Sequence, residues 1–89
     1  MLTFHFGLTP ERVIERAHRQ NIAVGVTATY VREAQDIARA GADFVVAQGW
    51  EAGGLRGSFD PSQPDEELPV LALVRSLLDC LSIPIVAAG

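Results

Sequence analysis

Residues 22–47, with the sequence IAVGVTATYVREAQDIARAGADFVVA, decide the fold. Residues 22–27 and 44–47 are short apolar runs with many β-branched side chains, which is typical of buried strands. Between them, residues 31–40 repeat apolar side chains at helical spacing, and Gly41 is placed to end that helix. A strand, a helix and a second strand in this order predict a βαβ unit with parallel strands.

The same alternation continues toward the amino end of the chain. Residues 2–6, LTFHF, predict another short strand. Thr9 and Pro10 predict a helix that follows it, with Thr9 as the N-cap and Pro10 at the first helical position. Asn21 is placed to end this helix in a left-handed conformation.

Toward the carboxyl end, a loop rich in glycine, proline and aspartate separates the third strand from a third helix that begins at Pro69. The side chains expected on the apolar side of this helix are Leu71, Val74, Leu77, Leu78 and Leu81. Residues 83–88, IPIVAA, predict a fourth strand. We therefore expect residues 1–89 to form a single partial domain of about four βα units. Their periodicity leaves an open doubly wound sheet and a (β/α)8 barrel as alternatives.

Composition narrows the class of protein. The chain is 48% hydrophobic and 20% charged, which excludes disorder and suggests part of a larger core. It has no apolar run long enough to span a membrane, and its one cysteine excludes a disulfide scaffold. The net charge is -4 and the seven arginines are scattered, so we expect no nucleic acid partner. The sequence has no His, Cys or carboxylate residues at the spacing of metal ligands, and its amino end has no pattern of a secretory signal. We therefore expect a cytoplasmic location.

The loop after the third strand is the candidate functional site, because ligands of parallel α/β folds bind at the carboxyl ends of strands. Residues 47–57 read AQGWEAGGLRG and hold four glycines. Glycine allows backbone N–H groups to converge on an anion, and the Gln48 amide can both donate and accept hydrogen bonds. A phosphate or anion cradle is one interpretation, and an ordinary flexible glycine loop is the other.

These residues resemble a known family. AQGWEAGGLRG resembles the A-Q-G-x-E-A-G-G-H-R-G motif of the nitronate monooxygenases, and residues 3–7, TFHFG, resemble their S-F-H-F-G strand. Residues 83–89, IPIVAAG, are similar to the strand that enters the family's A-A-G-G-I flavin loop. The resemblance implies a partial TIM barrel that carries FMN, with this chain as its middle portion. It also implies oxidation of alkyl nitronates by molecular oxygen.

The resemblance implies roles for individual residues. The cofactor-binding residues that it implies are Gln48, Gly49, Gly53, Gly54 and Gly89. His5 matches a strand histidine that faces the substrate pocket, although a single strand histidine is as readily structural. Leu55 lies where the family has its catalytic histidine. No metal is implied.

Leu55 leads to a hypothesis about the substrate. A neutral nitroalkane must lose an α-proton before it is oxidised, and histidine suits that step because it titrates near neutrality. Leucine has no basic atom. Because a nitronate is already an anion, we expect the parent protein to oxidise nitronates and to be impaired with neutral nitroalkanes.

Other side chains have ordinary interpretations that we expect to hold. Glu51 is expected to pin the loop, Arg56 to be solvated, and Trp50 either to cover a flavin or to pack at the rim. Cys80 is expected to be a buried, inert thiol. The acidic residues 65–67 are expected to complement the dipole of the third helix.

Two alternatives to a nitronate monooxygenase remain open from the sequence, one of them also an enzyme. The chain could be a non-catalytic half-barrel remnant, in which case its open sheet edges would favour self-association. It could also be a relative of the flavin-dependent enoyl reductases, for which oxidation of NAD(P)H would be the distinguishing activity.

Overall fold

The computed structural model describes residues 1–5, 7, 10–52, 56–60 and 62–88. In these residues four strands alternate with three helices: β1 (Leu2–Phe4), α1 (Glu11–Arg19), β2 (Val24–Ala28), α2 (Val31–Arg39), β3 (Phe44–Gln48), α3 (Val70–Cys80) and β4 (Ile85–Ala88). All neighbouring strands are parallel, and the order in the sheet is β1-β2-β3-β4. Each crossover therefore advances in the same direction, without the reversal that defines a doubly wound sheet.

The strand boundaries differ slightly from the expected ones for local reasons. β1 ends at Phe4, two residues earlier than expected. β2 begins at Val24, whose backbone N–H donates to Asp43 Oδ2 at 2.7 Å. β4 begins at Ile85 because Pro84 has no N–H for the ladder, although its carbonyl accepts from the Val45 N–H at 3.0 Å.

The core lies between the sheet and the helices. Alternate strand residues face the helices, among them Val26, Ala28, Val45 and Ala47, and all four are fully buried. They pack with residues of α2 and α3, namely Ala34, Ile37, Leu73 and Leu77. A second, smaller cluster joins α1 to β2 through Ile14, Ala17 and Val24.

The buried face of α3 matches the expected one at Val74, Leu77 and Leu81, which lie in or against the core, and differs from it at three other leucines. Leu73 and Leu77, one turn apart, are fully buried against the sheet, and Leu73 was not among the residues expected there. Leu71 and Leu78 were expected to be buried, but they are 81% and 67% exposed. The helix carries its own apolar side chains on more than one side, so their periodicity alone does not select the side that meets the sheet. Cys80 is also exposed, and the expectation of a buried thiol was wrong.

The helix ends follow their turn residues. Pro10 is the N-cap of α1, which begins at Glu11, one residue later than expected, and Thr9, the expected N-cap, lies outside the described residues. Asn21 has φ 59°, as expected for a left-handed helix end, and Gly41 has φ 96° after α2. None of the helices in the described ranges is long and apolar enough to cross a membrane.

Candidate functional site

The carboxyl ends of β1, β2 and β3 bring polar side chains together on the sheet face opposite the helices. Since alternate residues of a strand point to opposite faces, Thr27 and Gln48 point away from the buried helix-facing residues. A Cβ placed on Gly57 would meet His5 Cε1 and Thr27 Cγ2, each at 2.7 Å. His5, Thr27, Gly57 and Gln48 therefore form one cluster, which we call the inner layer.

Gln48 is held in one orientation. Its side chain is buried at the last position of β3, and the backbone N–H of Gly57 donates to its Oε1 at 2.7 Å. With Oε1 engaged in this way, the amide nitrogen is the donor that the side chain presents elsewhere. The loop after β3 therefore folds back onto the strand end that it leaves.

Arg56 secures the same loop, and the expectation that it is solvated was wrong. Its Nε and Nη2 donate to Asp65 Oδ2 and Oδ1 at 2.6 and 3.0 Å, while Nη1 donates to the carbonyls of Gln48 and Gly49 at 2.8 and 3.0 Å. The side chains of Arg56 and Asp65 are only 21% and 20% exposed. The guanidinium carbon also lies 5.5 Å from the centre of the Trp50 ring. Arg56 is thus engaged by the protein itself.

Asp65 does not have the role expected for the acidic residues 65–67. Asp65 accepts the Arg56 side chain, and this hydrogen bonding lowers the pKa of the Asp65 carboxyl below its ordinary value of 3.8, against a smaller opposing effect of burial. The amino end of α3 is held instead by Glu51, whose Oε1 accepts from the Val70 backbone N–H at 2.8 Å. Glu51 therefore pins the loop as expected, and it also caps α3 from 19 residues away.

Four of the described backbone amides of the loop are engaged within the protein and are not available to an anion. The N–H groups of Gly49, Trp50, Ala52 and Gly57 donate to Ala88 O, Leu68 O, Gly49 O and Gln48 Oε1 respectively. A Cβ on Gly49 would lie 2.5 Å from the Val70 backbone nitrogen and would collide with Glu51 Oε1. Glycine at position 49 is thus required by the packing of the loop against α3.

Glu33 is a site residue that sequence reasoning missed. Its side chain is 1% exposed, and its carboxylate accepts from Thr29 N, Thr29 Oγ1 and Phe59 N at 2.7, 2.6 and 2.6 Å. The signal in the sequence is a glutamate in the first turn of a predicted helix, which ordinarily reads as a capping residue. Nothing in the sequence pattern indicates the contact with Phe59, 26 residues away.

The predicted site residues are only partly within the described structure. His5, Gln48 and Gly49 lie at the carboxyl ends of β1 and β3, as expected, and His5 contacts the Gly57 segment. Gly53, Gly54, Leu55 and Gly89 lie outside the described residues. Within the described ranges no group of three or more His, Cys, Asp and Glu side chains could hold a metal ion.

Comparison with known proteins gives the family. The family model described as nitronate monooxygenase matches residues 1–89. The chain belongs to the nitronate monooxygenase family. It is 48% identical over 88 residues to a nitronate monooxygenase of Pseudomonas aeruginosa, and the match covers 99% of this chain and 25% of that relative. This chain therefore spans about a quarter of the length of the curated relatives that it matches.

Solved structures agree with the fold of the nitronate monooxygenase family. A nitroalkane oxidase from Streptomyces ansochromogenes has a TM-score of 0.94 at 41% identity, over 99% of this chain and 26% of that protein. A FabK mutant from Thermotoga maritima has a TM-score of 0.79 at 30% identity, over 99% of this chain and 27% of that protein. With the consecutive parallel strand order, these similarities confirm the expected α/β class and a partial (β/α)8 barrel.

Proposed function

We propose that the protein carrying this chain is an FMN-dependent oxidoreductase that oxidises alkyl nitronates with molecular oxygen. Residues 1–89 would be one part of its flavin-binding barrel. The observation that carries the proposal is Gln48, in a chain that belongs to the nitronate monooxygenase family. Gln48 matches the family's flavin-binding glutamine, and Gly57 orients its buried amide at the carboxyl end of β3.

The described residues fit such a cofactor. The inner layer presents a hydroxyl, an imidazole and an amide, which are groups that can hydrogen-bond a planar heterocycle with several donors and acceptors. The carboxylates of Glu33, Glu51 and Asp65 are all occupied by loop or helix donors. An anionic substrate would thus meet hydrogen-bonding groups and no carboxylate in the inner layer.

In this proposal the cofactor and the residues around it have different roles. When bound, FMN would supply the acceptor of the electron that leaves the substrate. Gln48 would contact the cofactor through its side-chain amide, and Gly53, Gly54 and Gly89 would contribute close backbone contacts. His5 would face the substrate from the end of β1.

Leu55 sets the substrate form in this proposal. It replaces the histidine that the family motif has at this position, and leucine cannot accept the α-proton of a neutral nitroalkane. An alkyl nitronate has already lost that proton, so its oxidation needs no base at this position. The protein would therefore use the anionic form of the substrate and react poorly with the neutral form.

The test compares both substrate forms in the protein expressed from its complete reading frame and in its Leu55→His variant. We expect Leu55→His to raise kcat/KM for the neutral nitroalkane by about 100-fold, the lower end of what a positioned base contributes. The nitronate reaction should change by less than about threefold on this account, since it needs no base. Oxygen consumption measures both reactions, and equal nitroalkane activity of the two proteins would contradict the role given to position 55.

A second candidate function is a non-catalytic, self-associating half-barrel. The observation that favours it is the exposed apolar side chains, Leu71 and Leu78 on α3 and, on the sheet face away from the helices, Val86 of β4, which is 49% exposed. Absorbance of bound flavin separates the two candidates. A protein of complete reading frame that binds FMN supports the enzyme, and a colourless oligomer that binds none supports the half-barrel. Oxidation of NAD(P)H by the flavin-loaded protein would instead support the enoyl reductase alternative.

A further inference from the structure

Glu33 connects two loops at the carboxyl edge of the sheet. Thr29 directly follows β2, and both its N–H and its hydroxyl donate to Glu33 Oε1. Phe59 lies in the loop after β3, and its N–H donates to Glu33 Oε2. One buried carboxylate in the first turn of α2 therefore joins the end of β2 to the loop that follows β3.

The loop segment that Glu33 holds is the one that orients Gln48. Gly57 lies between two anchors, the Arg56 side chain on one side and the Phe59 N–H on the other. Gly57 is buried, and its N–H is the donor to Gln48 Oε1. Its position is further limited by His5 and Thr27, which a Cβ on Gly57 would contact closely. A shift of Phe59 would thus move the group that fixes the Gln48 amide.

We propose that Glu33 is a positioning residue for the flavin site, and that it acts on Gln48 through Phe59 and Gly57. The inference rests on the proposed function, because the flavin is the ligand that Gln48 would hold. Glu33 itself lies on the helix side of the sheet edge and does not belong to the inner layer. Its effect is to fix the distance between two neighbouring loops before the cofactor binds, so that binding does not have to order them.

A carboxylate is required for this role. The three donors around Glu33 need acceptors on both oxygens, and a carboxylate offers two acceptor atoms where a carboxamide offers one. In Glu33→Gln the amide nitrogen must face either Thr29 or Phe59, so that at least one buried N–H loses its acceptor. Glu33→Asp keeps both oxygens, but it is one methylene too short to reach the two loops together.

The experiment measures FMN affinity in the flavin-stripped protein of complete reading frame. FMN is titrated while its fluorescence is recorded, at a temperature well below the Tm of every variant. We expect Glu33→Gln to raise the Kd for FMN about tenfold, as loss of one hydrogen bond to a charged group would. We expect Glu33→Asp, the variant that keeps the charge, to raise it by a smaller factor.

Ile37→Val is the matched control, because Ile37 is fully buried on α2 one turn after Glu33 and packs in the core. It should lower Tm and leave the Kd for FMN unchanged. Equal Kd values for the original protein and both Glu33 variants would overturn the inference. The inference would also be overturned if the Kd for FMN rose in proportion to the loss of Tm, and to the same degree in the Glu33 and Ile37 variants. If the original protein binds no FMN, the proposed function fails and the inference with it, and that outcome differs from either of the other two.

Discussion

At the scale of single residues, the pairing of Arg56 with Asp65 makes the stability of the loop depend on pH. The pKa of the Asp65 carboxyl is lowered mainly by its hydrogen bonds from Arg56. A carboxyl group whose pKa is lower in the folded protein than in the unfolded chain stabilises the folded protein. This stabilisation is complete at pH values above the pKa of the unfolded chain, and it disappears as the pH falls through the pKa of the folded protein. The pair should therefore stabilise the protein fully above about pH 4 and lose its effect in stronger acid.

We predict that Asp65→Asn lowers the free energy of unfolding at neutral pH by about 1–2 kcal/mol, the usual range for a partly buried charged hydrogen bond. The difference from the original protein should shrink below about pH 4, because the carboxyl of the unfolded chain is protonated there first, and it should disappear as the pH falls through the lower pKa of the folded Asp65. Urea unfolding at a series of pH values measures both effects. Asp79→Asn is the control, since Asp79 is exposed near the opposite end of α3 and should show neither effect. A difference between Asp65→Asn and the original protein that stays constant down to pH about 3 would contradict this account.

Residue roles were predictable from the sequence only where a motif carries them. The position of Gln48 at the end of β3 was predictable because it ends an apolar strand and begins a recognisable glycine motif, and its role toward a flavin stays a prediction. The anchoring roles of Arg56 and Glu33 were not found, because their partners lie 7 to 9 and 26 residues away and the intervening chain must fold first. Pairings of this kind depend on tertiary geometry, which local spacing does not encode.

At the scale of elements, α3 depends on a cap that comes from another part of the chain. Its N-cap is Pro69, which has no side-chain hydrogen bond to the helix, and its first turn contains no acidic residue. Glu51 supplies the missing acceptor at the Val70 N–H, where a negative charge also suits the helix dipole. The loop after β3 and α3 should therefore lose stability together.

We predict that Glu51→Gln destabilises the protein by about 0.5–1 kcal/mol, as expected for weakening a helix cap at an exposed position. Thermal unfolding followed by circular dichroism measures the loss. Glu66→Gln is the matched control, because it removes the same charge from the same loop and Glu66 does not bond to Val70. If both variants lost the same stability, the removal of a negative charge from the loop, and not the loss of the helix cap, would explain the effect.

The order of elements was largely predictable, and the orientation of α3 was not. Short apolar runs between glycine, proline and asparagine signals marked each strand and helix to within about two residues, as is usual for boundaries. For α3 the expected face included Leu77 together with Leu71 and Leu78, which are exposed, and it missed Leu73. Leu73 and Leu77 meet the sheet through tertiary packing, which the many leucines of this helix do not encode locally.

At the scale of the whole molecule, the described sheet has two edges with exposed apolar residues. β1 forms one edge, where Leu2 is 42% exposed, and β4 forms the other, where Val86 is exposed on the sheet face away from the helices. Leu71 and Leu78 are two helical turns apart, so they lie on the same side of α3. In a complete (β/α)8 barrel the next βα unit would cover the β4 edge and this side of α3, which explains why apolar residues are found there.

We predict that the 89-residue chain, expressed by itself, associates with a second copy through this side of α3. The double substitution Leu71→Gln and Leu78→Gln removes the apolar surface from a helix that it leaves otherwise intact. It should weaken the association by about tenfold or more in Kd, which corresponds to roughly 1.4 kcal/mol at 25 °C. Sedimentation velocity over a range of protein concentrations measures the change.

Leu2→Gln provides the comparison at the β1 edge, because it makes the same chemical change on the other side of the sheet. If only the α3 substitutions weaken the association, the two copies meet through identical surfaces, which closes the assembly at a dimer. Equal effects at both edges would mean that the β1 edge of one copy meets the β4 edge of the next. Such a head-to-tail contact closes only if two four-stranded sheets complete a ring of eight, and otherwise it continues into larger oligomers. A monomer at every concentration would contradict the prediction, since the exposed leucines would then be stable in water without a partner.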